Sequence, residues 1–235
     1  MIELRDVTKR RTKRGKWHYV ARNINLTVGR GKRVALMGPG ESGKTTLLRL
    51  ICGTEQPDSG EVMRDARASW PIPAVSFLSS QLSAAANIRF LARLFEVDTD
   101  DYLARVKELS ELGSYINEQI DRLSSYGKNQ LAFSLAVCMD FDVYLFDDSI
   151  GVGPPPFRKK CAEIIEQLGQ QRGIVIATGS ANAARQFCDE AYVLDEGHAF
   201  HYFDMSQAVS HYKDVNQRRE AEREASGAAD SLVVR

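Results

Sequence analysis

Gly38-Pro39-Gly40-Glu41-Ser42-Gly43-Lys44-Thr45 fits the pattern G-x-x-x-x-G-K-[ST]. These residue types suit one chemistry. Backbone N–H groups of a glycine-rich turn converge on phosphate oxygens, and a helix starting near Gly43 adds the positive end of its dipole. Lys44 is then the group that reaches the β- and γ-phosphates, the Thr45 hydroxyl is a magnesium ligand, and Gly38 to Thr46 together form the nucleotide-binding stretch. Such a site also needs an acid for the metal. Val143-Tyr144-Leu145-Phe146-Asp147-Asp148 is an apolar run ending in two carboxylates. Asp147 is placed to hold Mg2+ through water, and Asp148 to polarise an attacking water.

The flanking elements have the order these side chains require. Arg33-Val34-Ala35-Leu36-Met37 reads as a short buried strand running into the glycine turn, and residues 45–52 read as a helix ending near Gly53. Upstream, Ile2 to Val7 alternates apolar and polar residues, the pattern of an exposed edge strand. The basic run from Lys9 to Lys16 reads as a hairpin loop, a solvated turn near anionic phosphate or lipid, with nucleic acid the other partner such a run could meet. Residues 17–20 and 23–28 continue the strand pattern.

Further along, Ile88, Leu91, Leu94, Phe95, Tyr102, Leu103, Val106 and Leu109 recur at helical spacing. The short apolar runs at 143–146 and 173–177 are of the parallel-strand type, with an amphipathic helix at 157–168 between them. Strands alternating with helices predict an α/β fold. The expected division is a β subdomain with the phosphate-loop part of the core at 1–82, a helical subdomain at 83–125, the remaining α/β core at 126–212 and a loose tail at 213–235.

Composition narrows the class. In 235 residues, 31 Lys plus Arg balance 31 Asp plus Glu, which argues against a protein whose main work is coating nucleic acid. No apolar stretch approaches the roughly 20 residues of a membrane-spanning helix. The charged start, Met1-Ile2-Glu3-Leu4-Arg5-Asp6, lacks a signal-peptide apolar region, so a cytoplasmic protein is expected. Cys52, Cys138, Cys161 and Cys188 form no C-x-x-C pair and read as reduced core residues.

With both phosphate-site motifs in place, residues 1–213 resemble the ATP-binding subunits of ABC transporters, specifically those that export capsular polysaccharide. The resemblance also rests on Pro57-Asp58-Ser59-Gly60, Ser69-Trp70-Pro71, Phe90-Leu91-Ala92-Arg93-Leu94, Phe157-Arg158-Lys159-Lys160-Cys161 and Tyr202-Phe203-Asp204. It implies a P-loop NTPase of ABC type: a mixed β core, a helical subdomain and an N-terminal antiparallel β subdomain. Two such subunits, alike or different, sandwich two ATP molecules and drive a transmembrane permease subunit from the cytoplasmic face of the inner membrane.

Carried over position by position, the resemblance shows departures. The signature loop is Ser124-Ser125-Tyr126-Gly127, so Tyr126 stands at a glycine position and its side chain is expected to obstruct a partner's γ-phosphate; a one-residue shift would let Ser125 and Gly127 serve instead. The lid glutamine falls on Ser79, with Gln81 two residues late, and the catalytic glutamate on Asp148. The D-loop aspartate falls on Pro154, the switch histidine on Gly179, and the adenine-stacking tyrosine on Arg11, with Trp17 or Tyr19 as substitutes. Phosphate- and magnesium-binding groups are thus kept while groups that position water or sense the γ-phosphate are altered, which lowers turnover and spares binding. The alternative is a non-catalytic regulatory or scaffold protein that keeps the fold, an idea to which Glu41 in the phosphate loop lends weight.

Overall fold

The computed structural model describes residues 1–13, 15–148 and 154–232. The chain begins with two long antiparallel strands, β1 (Ile2–Lys13) and β2 (Lys16–Val28), in a register that sets Ile2 opposite Val28 and Leu4 opposite Leu26. Next come β3 (Arg33–Met37), α1 (Lys44–Cys52) and β4 (Ser59–Arg64). Strand β4 pairs with the other side of β1, giving the order β2-β1-β4. β1 is therefore the centre of this sheet and not the edge its alternation suggests. Alternation reports that one face is buried, as Ile2 and Leu4 are, and carries no information about neighbours in the sheet plane. At Asp6 the strand takes a φ of 50°, and a Cβ on Gly60 would lie 2.4 Å from the Asp6 carbonyl oxygen.

The basic run is mostly strand, a second departure from the expected loop. Its charges meet the segment before β4: Lys9 Nζ bonds Asp58 Oδ1 at 3.0 Å, the Arg10 N–H donates to Asp58 Oδ2 at 2.7 Å, and Arg11 pairs with Glu55 at 2.6 Å. The Arg10 backbone N–H, first, and the Lys9 ammonium hold the Asp58 carboxyl below its ordinary range.

The rest of the chain builds the α/β body: β5 (Ala68–Ile72), α2 (Ala84–Leu94), α3 (Thr99–Ser110), α4 (Ser125–Val137), β6 (Val143–Asp147), α5 (Pro155–Gly169), β7 (Gly173–Thr178), α6 (Ala181–Phe187), β8 (Glu190–Asp195), β9 (His198–Tyr202) and α7 (Met205–Leu232). Helix starts follow local chemistry. Ser83 Oγ accepts the Ala86 N–H at 3.1 Å, Asp98 Oδ1 accepts the Asp101 N–H at 2.8 Å, and α5 opens with proline in its first turn. The second sheet has the order β5-β6-β7-β3-β8-β9, parallel except for β9.

Its central strands are buried on both faces, and their alternation separates two cores. Val34, Leu36, Val143, Leu145 and Val175 join Leu47 and Leu48 of α1 and the inner face of the β1 sheet. Ala35, Met37, Tyr144, Phe146, Ile174 and Ile176 face the helices on the other side. Burial pushes the Cys161 and Cys188 thiols up to about 12, so both stay protonated at neutral pH. The loose tail expected at 213–235 is instead a continuation of α7 as far as Leu232, and residues 233–235 lie outside the described residues. Val209, Tyr212 and Val215 recur on one buried face, and Arg218 pairs with Asp195 at 2.6 Å, which holds the helix past that point. Among the described residues no helix is long and apolar enough to cross a membrane.

Candidate functional site

β3 lies inside its sheet, between β7 and β8, and the glycine-rich turn carries the chain from its C-terminal end into α1. The junction is fixed by Gly43, whose φ is 102° and where a Cβ would sit 2.4 Å from the Val20 carbonyl oxygen. No side chain fits there. Nor does a side chain cap α1, so its first N–H groups point into the cleft without an intrahelical partner. Glu41 takes a left-handed φ of 65° in the middle of the turn, where most residues carry a strain of about 1–3 kcal/mol.

Lys44 Nζ donates to the carbonyls of Gly38 at 2.7 Å and Pro39 at 3.0 Å. Burial pushes its ammonium below the ordinary lysine range, while Asp148 and Asp147 push the other way. The Thr45 hydroxyl donates to Asp147 Oδ2 at 2.8 Å. Asp148 follows β6 with a φ of 55°; its N–H donates to the Ala177 carbonyl at 2.8 Å and its Oδ1 accepts the Gly179 N–H at 3.3 Å. Gly40 to Thr46, Asp147 and Asp148 line one cleft of ≈ 630 Å³, with Thr12, His18 and Val20 as its far wall.

The cleft suits phosphate and a hard cation. The Ser42 hydroxyl and His18 Nδ1 are buried on it with no hydrogen-bond partner among the described residues. A threonine hydroxyl and a carboxylate already within 2.8 Å of each other are the oxygen donors that Mg2+ prefers.

The signature loop lies elsewhere. Ser124 caps α4, its Oγ accepting the Gly127 N–H at 3.0 Å, and Ser124 and Ser125 are exposed. Tyr126 is half-buried. Its ring meets Phe157 of the same chain edge-on at 6.1 Å, because the helical core offers an aromatic partner on that side. Ser79 is tied to Asn87 through its N–H at 2.9 Å and its carbonyl at 3.0 Å, and neither it nor Gln81 lines the cleft. Pro154 precedes the first turn of α5, and residues 149–153 lie outside the described residues.

The base-stacking candidates are also redistributed. Arg11 is held by Glu55, the Arg10 guanidinium lies over the Trp17 ring at 5.5 Å, and that of Arg22 over the Tyr19 ring at 4.2 Å. His18, between the two aromatics, lines the cleft itself, while Tyr19 lines an adjoining hollow with Pro39 to Ser42 and Arg11 one with Thr45 and Asp147. The sequence signal that marks His18 is strand alternation, which puts residue 18 on the same face as Val20.

Comparison with known proteins decides the family. Residues 21–151 match the family described as ABC transporter. The chain belongs to the ABC transporter family. This ABC chain is 36% identical over 215 residues to the capsule polysaccharide export ATP-binding protein CtrD of Neisseria meningitidis serogroup B, covering 92% of the chain and 100% of that relative. It is 35% identical over 217 residues to the ATP-binding protein BexA of Haemophilus influenzae, covering 92% and 100%. Among solved structures it resembles a dimeric ATP-binding cassette, MJ0796, in a post-hydrolysis state bound to ADP and Pi, with a TM-score of 0.74 and 22% identity over 86% of this chain and 98% of that one. As an ABC cassette the chain binds nucleotide.

Proposed function

We propose that this chain is the ATP-binding subunit of an ABC exporter of capsular or other cell-surface polysaccharide, binding Mg-ATP with weakened hydrolysis. It pairs with a second ATP-binding subunit, alike or different, and with a transmembrane permease at the cytoplasmic face of the inner membrane. The export reading rests on end-to-end likeness to relatives such as CtrD. The weakened-hydrolysis reading rests on one contrast. Lys44, Thr45 and Asp147 stand together, while the positions expected to carry a glutamate and a histidine hold Asp148 and Gly179.

In this reading the turn and the α1 N-terminus hold the phosphates, and Lys44 exchanges its Gly38 and Pro39 carbonyls for phosphate oxygens. Thr45 and Asp147 hold Mg2+, which when bound neutralises charge developing on the phosphates. Asp148 orients water from a side chain one methylene shorter than glutamate, and misplacement on the order of 1 Å costs about 100-fold in rate. Calorimetric titration is expected to show Mg-ATP binding that Lys44→Ala weakens by at least about 10-fold, the worth of one charge-assisted hydrogen bond. Purification from membranes should bring down a permease, and turnover in that complex should stay low. No Mg-ATP affinity sinks the nucleotide reading, ordinary transporter turnover sinks the weakened-hydrolysis reading, and a complex without a permease sinks the export reading.

A further inference from the structure

Position 179, directly after β7, carries no side chain, and a hydroxyl from the last helix stands in the space. Tyr212 of α7 is 8% exposed, and its OH donates to the Gly179 carbonyl at 2.8 Å. A Cβ on residue 179 would lie 3.2 Å from that oxygen. On the other side of the same residue, the Gly179 N–H donates to Asp148 Oδ1 at 3.3 Å. The N–H and C=O of one residue are linked through just two soft dihedrals. Glycine restrains those dihedrals least of all residues, so order at this N–H has to come from outside, and the tie on its carbonyl narrows the directions the N–H can take.

We propose that Tyr212 is a positioning residue for Asp148, acting through Gly179. The tyrosine ties the glycine, the glycine's N–H holds one carboxylate oxygen, and Asp148 is thereby set at the wall of the cleft that Lys44 and Thr45 share. A residue of the C-terminal helix thus bears on hydrolysis at the position where the family resemblance expects a histidine. Helix α7 has anchors besides this hydroxyl: Val215 is fully buried and Arg218 pairs with Asp195, so Tyr212→Phe leaves the helix in place.

The inference rests on the hydrolytic reading above, and its test separates the two. Wild type, Tyr212→Phe and Arg218→Ala (a control on the same helix) are compared by amide exchange at Gly179, by kcat and KM for ATP, and by Tm. In Tyr212→Phe the Gly179 amide is expected to exchange about 10-fold faster, and kcat to fall about 5- to 10-fold with KM unchanged. Arg218→Ala should alter neither. Unchanged exchange at Gly179 overturns the tether, and a fall in kcat equalled by Arg218→Ala overturns the positioning role. A wild type that binds Mg-ATP without turnover overturns the hydrolytic reading and Tyr212's bearing on rate, while Gly179 exchange still decides the tether.

Discussion

The Thr45 hydroxyl donates to Asp147 Oδ2 at 2.8 Å, joining the first turn of α1 to the last residue of β6 across 102 positions of sequence. Both oxygens come from elements packed into the same core, so neither is free to drift from the other. Asp147→Asn keeps the shape and removes the charge. In nucleotide titrations with and without Mg2+, wild-type affinity is expected to rise at least about 10-fold with the metal and the variant's by less than about 3-fold. Equal responses would remove Asp147 from the metal site.

Gly43→Ala tests the turn itself. The new Cβ would press on the Val20 carbonyl from a backbone at φ 102°, so a loss of about 2–3 kcal/mol is expected. That corresponds to a Tm lower by roughly 4–12 °C for a chain of this size. An unchanged Tm in calorimetry would mean that the strand-to-helix junction tolerates a side chain.

His18 and Trp17 are adjacent on β2, yet His18 lines the cleft and Trp17 does not. His18→Ala is expected to weaken ATP binding by about 3- to 10-fold, the usual worth of a stacked ring, with inorganic triphosphate affinity unchanged. Trp17→Ala should leave both affinities alone. The reverse pattern would return the stacking role to Trp17.

Tyr126 packs on Phe157, away from the Lys44 cleft. Tyr126→Ala is therefore expected to cost about 1–3 kcal/mol of stability through the lost ring contact. Mg-ATP affinity of the isolated chain should not change. Weaker binding together with an unaltered denaturation midpoint would contradict this placement.

Most of the cleft's lining is legible in the sequence because its signals are local. A glycine turn between a buried strand and a helix announces itself within about fifteen residues, and the carboxylates follow an unbroken apolar run. What escaped depends on contacts across the chain. The basic run reads as a solvated loop until Glu55 and Asp58 are seen beside it. The position of β1 inside its sheet depends on β4, some fifty residues later. Nothing near Tyr126 in the sequence reveals that its ring meets Phe157. Tyr212 showed no sign of meeting Gly179, as the two lie 33 positions apart.

Asp147 and Asp148 are chemically identical neighbours, and the pleat of β6 tells them apart. Side chains 143 and 145 point toward α1, so 147 does as well and meets Thr45. The next residue leaves the strand in a left-handed turn and is held from β7 and its following loop. Deleting one residue from β6 would therefore do more than interchange Val143 and Leu145 with Tyr144 and Phe146 between the cores. It would present Asp148 to Thr45 and leave no carboxylate for Gly179, so packing and the division of labour between two acids are written in a single register.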